Sequence, residues 1–60
     1  MEITLAPGEL MTSRAGISDA FLDEINKAVN TAREMKIRHI IGTIVLKLTS
    51  PEGELFVITI

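Results

Sequence analysis

Branched apolar residues crowd the last third of the chain, in two runs separated by turn formers. His39-Ile40-Ile41-Gly42-Thr43-Ile44-Val45-Leu46-Lys47-Leu48-Thr49 and Leu55-Phe56-Val57-Ile58-Thr59-Ile60 read as strands, and Ser50-Pro51-Glu52-Gly53 joins them. Pro51 suits position i+1 of a type I turn because its ring fixes φ near the required value. Gly53 then supplies the left-handed residue of a three-residue hairpin loop with a G1 bulge. That loop sets a register: Ser50 opposite Glu54, Leu48 opposite Phe56, Leu46 opposite Ile58 and Ile44 opposite Ile60. All six apolar residues then share one face, with Ile40 and Gly42 extending it. A four-residue loop would put Lys47 against Phe56 and mix the faces, since a slip of one residue sends side chains to the wrong side.

The second face of this hairpin carries Ile41, Thr43, Val45, Lys47 and Thr49 on one strand and Leu55, Val57 and Thr59 on the other. About half of these positions are apolar, whereas a solvated antiparallel face alternates to clearly polar residues. Ile41, Val45, Leu55 and Val57 are therefore the expected interface residues.

Upstream the period changes. Met1-Glu2-Ile3-Thr4-Leu5 alternates as a short strand and stops at Ala6-Pro7-Gly8. From Ser18 to about Lys36 the spacing is helical: Phe21, Leu22, Ile25, Ala28, Val29, Ala32 and Met35 fall within an arc of roughly 140°. Asp19, Asp23, Asn26, Lys27, Asn30 and Glu34 populate the opposite side. Ser18 is a suitable N-cap, with Ile17 and Leu22 placed as a hydrophobic staple. Acidic residues near the helix start and Arg33 and Lys36 near its end complement the macrodipole. Between strand and helix, Glu9-Leu10-Met11 has the makings of a single helical turn touching the core edge. Small residues at Ala28, Ala32 and Gly42 would permit a close approach of helix and hairpin; a simple bend at Gly42 is the plainer alternative.

The order strand, helix, strand, strand predicts a two-layer α+β fold, β-α-β-β, in a single domain spanning residues 1–60. One amphipathic helix packs on a three-stranded sheet that ends in the hairpin. The helix is expected to cross between the first two strands, making them parallel with a right-handed connection. One helix covers one face and leaves the other for a second copy.

Composition sharpens that last point. Sixty residues bury only about 60% of the surface of the unfolded chain. With no cysteine there is neither a disulfide nor a thiolate metal site to supplement the core, and unstapled scaffolds of this size often oligomerise. A homo-oligomer, with a dimer favoured, and a protein partner are the expectation. Six basic against eight acidic residues, net charge −2, give no global field for nucleic acid. No segment approaches the ~18 consecutive apolar residues of a membrane span, and no basic region followed by an apolar run opens the chain. Cytoplasmic residence is expected, and no membrane partner. Ile60 closes the sequence inside an apolar run, which fits either a paired edge or a segment of something longer.

Candidate chemistry is sparse. His39 is the single histidine and offers one ligand or one base without partners. Asp19, Asp23 and Glu24 lack the loop pattern of a calcium site, and ordinary helix N-terminal bias explains them. Gly8 and Gly16 lack phosphate-loop spacing, and Ser13 lacks a strand-turn-helix elbow. No cofactor and no catalytic residue is expected; an enzyme would require a site assembled between chains. The alternative partner is nucleic acid. Arg33, Lys36 and Arg38 form the one basic cluster, and Arg14, within Thr12-Ser13-Arg14-Ala15-Gly16 ahead of the helix, is a further candidate for an anion. Without Tyr or Trp, and with Phe21 and Phe56 assigned to the core, bases have no platform on which to stack. The reading favoured by these observations is a small non-enzymatic interaction or regulatory module that associates through its sheet.

Overall fold

The computed structural model describes residues 1–39 and 42–60, leaving Ile40 and Ile41 outside the described residues. It is a two-layer α/β fold of β1 (Glu2–Thr4), α1 (Asp19–His39), β2 (Val45–Thr49) and β3 (Leu55–Thr59). The three strands form one mixed sheet and the helix packs on one side of it.

The hairpin register follows the turn chemistry. Leu46 pairs with Ile58 and Leu48 with Phe56. Ile44 and Ile60 exchange both backbone hydrogen bonds, at 3.0 and 2.9 Å, and the Ser50 amide donates to the Glu54 carbonyl at 2.8 Å. Gly53 has φ +89, and its amide donates to the Ser50 carbonyl at 2.9 Å. The Ser50 hydroxyl accepts from the Glu54 amide at 3.1 Å, so the loop closes on itself twice.

Strand order corrects the expectation of parallel first and second strands. The order is β1-β3-β2; β1 runs parallel to β3, with Glu2, Ile3 and Thr4 opposite Val57, Ile58 and Thr59. β2 is antiparallel to β3, hence antiparallel to β1 and not adjacent to it. The physical reason lies in burial. β3 carries Phe56 and Ile58, both fully buried, and the central position lets both its edges pair. Glu2 on β1 and Lys47 on β2 put charge on the outer strands, where it discourages further pairing.

The helix begins as its cap predicts. The Ser18 hydroxyl accepts from the Phe21 amide at 3.2 Å and the Ser18 carbonyl accepts from Leu22 at 2.9 Å. Phe21, Ile25, Val29 and Ala32 are buried, and Leu22 packs partly buried against the same core. The core joins Phe21, Ile25 and Val29 to Leu5, Met11, Phe56 and Ile58. The Phe21 and Phe56 rings meet at 5.2 Å between centroids with a 59° tilt, within the range of favourable aromatic pairs.

The helix continues past the expected end at Lys36 and takes in His39, which therefore does not open a strand. Twenty-one residues make about 31 Å of helix, whereas a five-residue strand is about 17 Å long. The molecule measures 34 Å along its long axis, so the last turns overhang the sheet. That overhang leaves Met35, expected in the core, 50% exposed and Ile37 80% exposed. Gly42 is likewise exposed, and a Cβ there would meet nothing within 4 Å. The close approach of helix and hairpin at Gly42 is not made.

The β1–α1 connection has no helical turn at Glu9–Met11. Ala6-Pro7-Gly8-Glu9 is a β-turn with Pro7 at i+1 and Gly8 at φ +80, the type II pattern, closed by Glu9 N–H to Ala6 C=O at 3.0 Å. The chain then continues without regular structure, burying Met11 and leaving Leu10 exposed.

Candidate interaction surface

Alternation along each strand sends Ile3, Leu46, Leu48, Phe56 and Ile58 toward the helix and the residues between them to the other face. The pairing arranges that outer face in rows. Glu2, Val57 and Lys47 lie side by side across β1, β3 and β2; Thr4, Thr59 and Val45 form the next row; Leu55 and Thr49 share a third. No element of the described chain covers this face. Val45 is 52% exposed and Leu55 48%, and Val57 between them is half-buried. The structure thus gathers Val45, Leu55 and Val57 on one open surface; Ile41, the fourth expected interface residue, lies outside the described residues. Thr4, Thr49 and Thr59 complete the face with Glu2 and Lys47, so it is mixed rather than oily.

The basic residues do not all converge. Arg14 precedes the helix, and about 20 Å of helix separates it from Arg33. Its guanidinium reaches the Met1 sulfur at 3.5 Å. Arg33 is engaged locally: its Nη2 donates to the Ala6 carbonyl at 3.1 Å and to the Glu9 carbonyl, fastening the Pro7–Gly8 turn to the helix. At about 100° per residue, Lys36 lies some 60° around the helix from Arg33, but Arg38 lies about 140° away. Helical geometry therefore keeps Arg33 and Lys36 on one side, where both line one groove, and turns Arg38 away from them.

A second fastening escaped the sequence pattern. Asn26 sits among the residues assigned to the solvated side, yet its Oδ1 accepts from the Met11 amide at 2.9 Å and its Nδ2 donates to the Met11 carbonyl at 3.0 Å. The side-chain amide acts as a one-residue strand, and the buried Met11 side chain is held in the core as a result. Backbone partners leave no trace in a residue pattern, so nothing in the sequence would have flagged the pair.

An open groove of about 360 Å³ lies between the Leu5–Gly8 segment and the overhanging end of the helix, with Ile60 also lining it. Its charged lining residues are Arg33 and Lys36. Among the described residues that line it there is no Asp or Glu to pair with them as acid and base. Among the described residues no group of three or more His, Cys, Asp or Glu side chains could hold a metal ion, and no helix is long and apolar enough to cross a membrane.

Fold and surface together define a small two-layer α/β protein with one sheet face open. Comparison with known proteins adds no relative: no family model matches the chain, and no curated protein or solved structure is significantly similar to it.

Proposed function

We propose that this chain is a non-enzymatic protein-interaction module that works in the cytoplasm as a homo-oligomer, joined through the outer face of its sheet. One observation supports this reading above the others: Val45 and Leu55, each about half exposed, flank Val57 on a face without a covering layer. Exposed apolar residues scattered singly need no explanation, whereas a contiguous set on adjacent strands favours a docking surface. Nucleic-acid binding has weaker support, because Arg33 is spent on backbone carbonyls and Arg38 lies on a different side of the helix.

The face is small. Three strands at about 4.8 Å and five residues at about 3.3 Å give a footprint near 14 by 17 Å, well under the ~800 Å² each partner buries in a standard interface. A footprint this small fits a weak association, to be sought from the micromolar range upward. Light scattering and sedimentation across that range should give a mass that rises with concentration. Leu55→Glu, which leaves the core untouched, should hold the protein monomeric. A wild-type monomer throughout, or a Leu55→Glu protein that associates as wild type does, would overturn the proposal.

A further inference from the structure

The outer face carries more than apolar contacts: its middle row is electrically self-complementary. Glu2 on one edge strand and Lys47 on the other both stand opposite Val57, so the row reads acid, valine, base across the sheet. The two charged residues are separated by two strand spacings, about 10 Å, with Val57 between them, and they form no ion pair with each other. Both are exposed, and among the described residues the one ion pair is a different one, between the Met1 amino group and Glu54.

We infer that the occupant of this face is a second copy of the chain, related by a two-fold axis running parallel to β3 over Val57. The inference rests on the proposed association through the sheet and fixes its geometry. Rotation about that axis exchanges the two edges while keeping strand direction. It sets Glu2 of each copy over Lys47 of its partner, and stacks the central column of Leu55, Val57 and Thr59 on itself. The alternative dyad, in the sheet plane but perpendicular to the strands, would set Glu2 over Glu2 and Lys47 over Lys47. Like charges facing each other disfavour it.

Packed sheets lie about 10 Å apart, a gap that an extended glutamate and lysine span together. Their usual relative twist of about 30° displaces a residue one strand from the axis by only about 2.5 Å, so the cross-contacts survive it. The same rotation sets Thr4 over the partner's Val45, and Thr49 remains at the rim.

Charge exchange tests this geometry. Glu2→Lys turns both cross-contacts into lysine pairs, and Lys47→Glu turns both into glutamate pairs. Each single variant should dimerise at least about tenfold more weakly than wild type at low salt, by loss of two attractive contacts and gain of two repulsive ones. Mixing the two variants should produce a heterodimer. There the lysine introduced in one chain faces the glutamate introduced in the other, and the native Lys47 of the first faces the native Glu2 of the second. The double exchange Glu2→Lys/Lys47→Glu, which keeps the wild-type net charge, should restore homodimerisation. Sedimentation of the separate and mixed proteins reads all four cases, and circular dichroism checks folding. If wild type associates but the singles do not weaken it, or neither the mixture nor the double variant rescues, the axis is wrong and the sheet-mediated association stands. If wild type stays monomeric throughout the micromolar range, the association itself fails, and the axis with it.

Discussion

Asn26→Ala removes the clamp between helix and connecting segment, and its cost follows from the geometry. Two hydrogen bonds to Met11, at 2.9 and 3.0 Å, are lost together. Each contributes about 1 kcal/mol net, and a partly buried backbone amide and carbonyl left without partners add to that, for a sum of about 2–3 kcal/mol. A chain of sixty residues has a total stability of about 3–9 kcal/mol, so this one amide holds a large share. For a domain of this size the melting temperature falls by about 4–8 °C per kcal/mol, giving a loss of about 10–20 °C. Urea unfolding followed by far-ultraviolet circular dichroism measures the free energy, and amide exchange at Met11 reports the local release. Asn30→Ala is the control: Asn30 is exposed, one helical turn further on, and its truncation should stay within about 0.5 kcal/mol of wild type. An Asn26→Ala protein as stable as the Asn30→Ala control would refute the clamp.

Two further substitutions test the ends of elements. Ser18→Ala should cost about 1 kcal/mol in the same urea experiment, because the Phe21 amide loses the hydroxyl that caps it. Gly53→Ala should cost about 1–2 kcal/mol from the left-handed backbone alone, since a Cβ there meets no neighbour; Gly42→Ala, in equally open space without a positive φ, should be near neutral.

The hairpin was legible because two independent signals agreed, turn chemistry at Pro51 and Gly53 and the one register that puts Leu46, Leu48, Phe56 and Ile58 together. The helix start was legible for the same reason, with Ser18 and the apolar arc coinciding. Its end was not. His39, Ile40 and Ile41 open the run that reads as a strand, no glycine directly follows Lys36 to cap the helix, and helical propagation through His39 outweighed local preference. Strand order was hidden for another reason: alternation in Glu2–Thr4 says which side faces the core, not which neighbour the strand chooses. On the open face the residue types were plain from sequence, but the row of Glu2, Val57 and Lys47 exists only once β3 stands between the other two strands.

That central position of β3 also governs how the molecule must assemble. Leu55–Thr59 provides the backbone partners of both edges, and the Met1 amino group reaches across to the Leu55 carbonyl at 2.7 Å, fifty-four residues away in sequence. Closing a loop of that span costs about 3.5 kcal/mol of chain entropy beyond a constant, and contacts so distant slow folding relative to helical bundles. During synthesis the helix emerges well before the strand that organises the sheet, so its apolar stripe travels uncovered until β3 arrives. Nascent chains stalled upstream of Leu55 should therefore be open to chaperones and proteases, and those released beyond Thr59 protected.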